Sequence, residues 1–245
     1  MLLWIISFSL LGSVGAVSGA ALFLLFTEVT RKVLVPYLVS YATGTLLGAA
    51  FLGMIPAGLK LAPVFAVTSM VLTGMVLFFV LEKLVLWRHC HESECEVHSR
   101  AGPLILIGDA FHNFVDGVVI AAAFLTSIPL GIAASLAVIA HEIPQEVGDF
   151  AILLDNGYAR KKALALNTLS AATTLPGALL SYFWLAETRG AVPYILAISA
   201  ASFIYIAAAD LIPGLHRQVS AAASLRQLVL LLAGIGTIAM FHHGG

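Results

Sequence analysis

Charge is scarce in this chain. Asp, Glu, Lys and Arg make up 10% of its 245 residues, against about a quarter in an ordinary soluble domain. Hydrophobic residues make up 60% and the mean hydropathy is +1.02. A buried core does not absorb that much apolar surface, so the composition argues against a soluble globular fold and for a polytopic membrane protein. No polar stretch is long enough to fold by itself, and residues 1–245 read as a single transmembrane domain. The net charge of −1 gives no reason to expect nucleic acid as a partner. Cysteine is nearly absent: Cys90 and Cys95 share one loop, which makes a disulfide framework a poor reading. A positive n-region and a cleavage site are missing from the opening MLLWIISFSL, which reads as a first span and not as a removable signal peptide.

What is present in abundance is long apolar runs. A bilayer core takes roughly 20 apolar residues per helix. Reading the runs between charged or Pro/Gly punctuation gives eight spans, at 2–26, 37–57, 64–86, 104–126, 130–153, 163–185, 192–213 and 225–241. The fold class is therefore all-α. With alternating loops, one side collects Arg31, Lys32, Lys83, Arg88, Arg100, Arg160, Lys161, Lys162, Arg217 and Arg226, and the other has only Lys60 and Arg189. Basic residues favour the cytoplasmic side, so both termini are expected outside it, in a cell (inner) membrane. Gly44, Gly48 and Gly53 in the second span, and Ala121, Ala122 and Ala123 in the fourth, suit close helix packing.

Against this apolar background two polar stripes stand out. Asp109, His112, Asn113 and Asp116 follow the i, i+3, i+4, i+7 spacing of one helix face in span four. Glu142, Gln145, Glu146 and Asp149 follow it in span five, with His141 one turn before Gln145. The connection around Thr126 to Pro129 is short, so the two helices are expected to be antiparallel neighbours with facing stripes. Ionisable groups at membrane depth are costly and are tolerated where they face a cavity, a partner or an ion. Imidazole suits zinc and late first-row ions, and carboxylate and amide oxygens widen the range toward harder ions. The spacing lets His112 and Asp116 hold one metal from one helix and His141 and Gln145 complete it from the other, with Asn113 and Glu142 serving an adjacent position or supporting the ligands from behind. Pro144 removes a backbone hydrogen bond and is expected to kink the fifth helix beside His141; Gly117 and Pro176 are expected to loosen theirs. The competing reading is that these groups only pair with one another to hold helices together, and it weighs most on Asp109 and Asp149 at the edges of the stripes.

At these residues the sequence resembles the ZIP (Zrt/Irt-like) family of divalent metal transporters. HNFVDG at 112–117 is similar to that family's HNxxDG or HNxxEG signature, and HEIPQEVGDFAILL from His141 is similar to its HExPHE signature and the run that follows. FLGMIPAGL at 51–59 and FIYIAAADLIPGL at 203–215 are similar to weaker signatures. The resemblance implies eight helices, with the first and last three forming inverted repeats around spans four and five. It implies extracytoplasmic termini, a metal pathway between spans four and five flanked by two and seven, and a homodimer in the bilayer. It places His112, Asp116, His141 and Gln145 on primary metal positions and Asn113 and Glu142 on those of a second metal. The implied substrate is Zn2+, with Fe2+, Mn2+ and Cd2+ as alternatives, moved toward the cytoplasm by alternating access with no organic cofactor.

The sequence departs from the family pattern in three places: Gln145 replaces the second histidine of HExPHE, Gly53 and Ala57 stand where many relatives carry His and Glu, and Thr173-Thr174-Leu175-Pro176 stands where some place a Glu before the proline. The loop at about 87–103 concentrates His89, Cys90, His91, Cys95 and His98 among three glutamates, a composition that reads as a metal-binding tract. Asp210, before Leu211-Ile212-Pro213, is placed to line an exit or cap a helix. Three alternatives remain open, the blandest a passive membrane scaffold. An intramembrane zinc hydrolase would use HExxH on an intact helix, but HEIPQ has no second histidine and contains a proline. A metal exporter would share the His112–Asp116 spacing, although the class that uses it normally has six spans and a soluble domain.

Overall fold

Short polar residues fix where the helices start. Thr27 is extended, and its hydroxyl accepts from the Thr30 amide at 3.3 Å, which opens the second helix at Glu28. Ser127 does the same for Leu130 at 3.3 Å and opens the fifth, with Pro129 in its first turn. In the computed structural model, residues 1–89, 97–217 and 220–242 are described, with side chains at 85–105, 155 and 242 left out.

Among the described residues eight helical spans are long and apolar enough to cross a membrane. They are α1 (Leu2–Phe23), α2 (Glu28–Leu61), α3 (Val64–Leu84), α4 (Leu106–Thr126), α5 (Ile128–Leu154), α6 (Arg160–Glu187), α7 (Arg189–Leu215) and α8 (Ala221–Phe241). Each of the eight runs read from the sequence overlaps one of these, and five lie wholly within; those at 2–26, 64–86 and 104–126 overrun by two or three residues. The largest difference is α2, which starts nine residues before the expected 37. The expected span begins just after Pro36, yet the helix runs through that proline from the Thr27 cap. Beyond α3 the helical backbone continues to His89, and α4 is preceded by helix from Val97.

The helices approach one another where they carry glycine. A Cβ on Gly117 of α4 would sit 2.0 Å from the Thr174 carbonyl oxygen, and one on Gly177 of α6 would sit 2.2 Å from that of Phe114. Those two backbones are therefore in direct contact, which answers why Gly117 is there: it permits approach and does not break its helix. Gly44 and Gly234 make the same contact between α2 and α8, facing Leu231 and Tyr41. Between these pairs lies a core that includes Leu46, Ala121, Ala122, Ala123, Phe124, Ala137, Leu196 and Phe203. Leucine, valine and phenylalanine side chains such as Leu72, Phe79, Phe183 and Leu232 remain exposed on the outside, as lipid-facing positions do.

Three helices contain wider π turns. Those in α2 and α7 are equal in length and placement: Ala49–Met54 ends two residues before Pro56, and Ile206–Leu211 ends two residues before Pro213. A third, Leu11–Gly15, lies in α1. By contrast α5 stays helical through Pro144. In α6 the helix breaks at residues 172–173, between Arg160–Ala171 and Thr174–Glu187, with Pro176 in the first turn after the break.

Candidate metal centre

The break in α6 and the Gly117–Gly177 contact set the depth at which polar groups meet. Thr173 donates to the Ala110 carbonyl at 2.6 Å, and Thr174 donates to Asn113 Oδ1 at 3.0 Å. Both tie α6 to the polar stripe of α4. The stripe of α5 faces it from the other side.

Four side chains converge between α4 and α5. His112, Asp116, His141 and Glu142 each offer one ligand atom, all within 4.8 Å of one another. His112 Nε2 lies 3.2 Å from His141 Nε2, 3.8 Å from Asp116 Oδ2 and 3.4 Å from Glu142 Oε1. His141 Nε2 lies 3.2 Å from Asp116 Oδ2 and 3.4 Å from Glu142 Oε1. Asp116, His141 and Glu142 are buried, while the His112 side chain keeps 20% of its surface exposed. Phe203 of α7 packs edge-on against the His141 ring, with centroids 6.1 Å apart.

This set fits a divalent ion on three counts. Both oxygens of Asp116 and both of Glu142 are buried without a hydrogen-bond partner, a costly state for a carboxylate unless a cation compensates it. Two carboxylates and two neutral imidazoles balance one dication. The donor types, two nitrogens and two oxygens, are those that zinc takes in four-coordinate sites.

A second group shares Glu142. Asp109, Glu142 and Glu146, all buried, also bring one oxygen each within 4.8 Å of the others. Amide side chains hold these acids in place. Asp109 Oδ1 accepts from Asn113 at 3.0 Å and from Gln145 at 3.1 Å, and Glu146 accepts from Asn167 of α6. With oxygen donors alone, this group suits harder ions than the histidine group does.

The expected residues thus divide. His112, Asp116 and His141 come together, and the fourth member of their group is Glu142. Gln145 turns its amide nitrogen to Asp109, and Asn113 donates to Asp109 and accepts from Thr174. Asp109 and Glu146 meet in the second group, and Asp149 lies outside both. Asp210 is exposed and lines a cavity of about 510 Å3 between α3, α4 and α7, which also reaches His112. Cys90, His91 and Cys95 lie outside the described residues, as do the side chains of His89 and His98. Sequence reasoning missed Asn167, which braces Glu146, and Glu82, which accepts from the Tyr205 hydroxyl on the wall of that cavity. A lone amide or acid inside an apolar run was their only signal.

Comparison with known proteins agrees with this chemistry. The sequence profile of the ZIP zinc transporter family matches residues 88–242. The chain is 33% identical over 220 residues to zinc transporter ZIP13 of Pongo abelii, covering 83% of this chain and 66% of that protein. It is 30% identical to zinc transporter SLC39A7 of Mus musculus, covering 95% of this chain and 69% of that one. Zinc transporter ZIP4 of Mus musculus is 46% identical over 114 residues, 46% of this chain and 17% of its own length. The chain therefore spans two thirds or less of most of the relatives it matches. The profile extends over more than half of the chain, α4 and α5 included, and by that match the chain belongs to the ZIP zinc transporter family.

Proposed function

We propose that this chain moves a divalent cation, zinc first, across a cell (inner) membrane toward the cytoplasm. The observation that carries this reading is the buried group His112, Asp116, His141 and Glu142, whose carboxylate oxygens have no other partner. The family relatives named as zinc transporters support the substrate; Fe2+, Mn2+ and Cd2+ are the alternatives to test.

Two cavities support alternating access. The 510 Å3 cavity reaches His112 and carries Glu82 and Asp210 on its wall. A separate one of about 380 Å3, at the end marked by Lys60, is lined by Gly53, Ala57, Thr126, Leu130 and Ala133. Ala133 to His141 is eight residues of helix, about 12 Å at 1.5 Å per residue, and Ala134, Ala137 and Val138 in that stretch, with Val119 and Ile120 of α4, are fully buried. On this reading the site is open to the basic, cytoplasmic end and closed to the other. The distribution of basic residues supports that orientation, with both termini outside. The matching π turns of α2 and α7 support an inverted repeat, in which the site is reached from each side in turn. The homodimer that the resemblance implies belongs to the same proposal, as does a single domain over 1–245.

A hydrolase would keep the glutamate of its HE pair off the metal as a base. Here Glu142 lies 3.4 Å from both imidazoles, which favours a ligand role. The test is Zn2+ uptake into proteoliposomes by the wild type and by His112→Ala and His141→Ala, with Fe2+, Mn2+ and Cd2+ in parallel. Uptake lost in both folded variants supports the reading. Uptake unchanged in both refutes it.

A further inference from the structure

At the basic end of the bundle a different cavity, about 270 Å3, opens between α1, the start of α2, α5 and α6. Its walls are mostly apolar, with Val17, Leu24, Phe150 and Leu164 among them, and Arg31 and Arg160 also line it. Among the described residues neither arginine is in an ion pair; Glu28, next along the chain from the Thr27 cap, is paired with Lys32 at 2.6 Å. Arg31 Nε is buried and has no hydrogen-bond partner. Arginine does not shed its proton, so a buried N–H of this kind calls for an acceptor from outside the chain. Arg160 begins α6, and Ala159 before it provides no side-chain cap. The first amides of that helix are therefore free to face an anion as well.

The rest of the lining says what kind of anion. Glu146 on the inner wall is buried and accepts from Asn167, so it offers an anionic group no cation, which leaves the arginines to hold it, Arg160 being the exposed one. The remaining surface is hydrocarbon. A free phosphate satisfies the arginines and leaves that surface uncovered, whereas a lipid covers both. Guanidinium forks match phosphate oxygens in pairs, and basic pockets between membrane helices at the cytoplasmic side suit anionic headgroups. We propose that this cavity binds an anionic phospholipid, its phosphate held by Arg31 and Arg160 and an acyl chain laid against α1, α5 and α6.

The test is lipid retention, measured by native mass spectrometry on full-length protein extracted from membranes of phosphatidylcholine and phosphatidylglycerol. The readout is independent of whether the protein moves metal. The wild type should retain phosphatidylglycerol preferentially. Arg31→Gln with Arg160→Gln should weaken that retention about tenfold or more, on the scale of a kcal/mol per basic residue near the membrane surface. Lys32→Gln with Lys161→Gln removes equal charge from the same end but not from the cavity lining, and should retain the lipid. Equal loss in both double variants would mean a general surface-charge effect and overturn the site, as would equal retention in all three proteins. Displacement of the lipid by inorganic phosphate alone would overturn the lipid assignment. Should the Arg31 variant fail to fold, Arg160→Gln alone changes an exposed side chain and is read in the same way.

Discussion

His141 Nδ1 lies 2.8 Å from the backbone carbonyl oxygen of Ala137, one turn earlier on α5. A carbonyl only accepts, so Nδ1 is the donor in this contact, and Nε2 is the ring atom turned toward His112, Asp116 and Glu142. The helix itself thereby sets the tautomer and aims the nitrogen, as metal-binding histidines commonly require.

From this follows the first expected outcome. His141→Ala and His112→Ala should each lower Zn2+ affinity by more than tenfold, since loss even of groups that only support ligands costs about 10- to 100-fold. His141→Gln should not rescue. Isothermal titration on purified protein measures the affinity, and a thermal unfolding scan checks the fold. Wild-type affinity in both variants would remove the histidines from the site.

Acid should weaken binding. The metal needs neutral imidazole and ionised carboxylate, and protons compete for both. Lowering the pH from about 7.5 to about 5.5 crosses the ordinary histidine value near 6.5, so apparent Zn2+ affinity should fall monotonically over that window and recover on return. A flat profile over that range would show that imidazole is not a ligand.

Glu142 and Gln145 make a discriminating pair. Glu142→Gln removes a shared charge from both groups and should reduce Zn2+ affinity and flux by more than tenfold. Gln145→Ala removes one hydrogen bond to Asp109, a loss of about 1 kcal/mol or roughly fivefold, and should act mainly on the oxygen-only group. Gln145→His should therefore change Mn2+ competition more than Zn2+ affinity. A larger effect of Gln145→Ala than of Glu142→Gln on Zn2+ would place the amide in the histidine group.

Glycine contacts predict stability. Gly117→Ala and Gly177→Ala each insert a methyl about 2 Å from backbone and should destabilise by about 1–3 kcal/mol or more, as overpacking does. Gly108→Ala on the same helix as Gly117 meets nothing within 4 Å and should be neutral or slightly stabilising. Thermal unfolding in one detergent orders the three variants.

The loop offers a functional control. Replacing His89, Cys90, His91, Cys95 and His98 together with Ser should leave the maximal flux near wild type, because these positions lie outside α3 and α4. Abolished flux in a folded variant would make the loop part of the obligatory path.

How much of this was legible in the sequence follows from what sequence spacing encodes. Hydrophobic runs fixed eight spans, because a bilayer demands length and apolarity and little else. The i, i+4 pairs and the short connection at Ser127 brought α4 and α5 together on paper. Spacing does not fix how far each helix rotates about its axis. Glu142 and Gln145 lie on neighbouring parts of one face, and only packing decides which reaches the imidazoles. Pro36 misled the start of α2, because a cap at Thr27 outweighs one missing amide. Asn167 lies 21 residues beyond Glu146, on the next helix, and no local pattern reveals that the two meet. The match between the π turns of α2 and α7 is one of backbone geometry, and the two segments share little more than an Ile-Pro pair.

Glu142 belongs to both groups of potential ligands, and a single carboxylate has one unit of charge to share. An ion seated with Asp109 and Glu146 draws on electron density that the histidine group also uses. Were each group to hold an ion, the two would be linked thermodynamically: whatever occupation of one costs the other, the second costs the first by the same factor. An arriving second ion would then act as an eviction signal for the first, and a tight resting affinity would be compatible with rapid turnover.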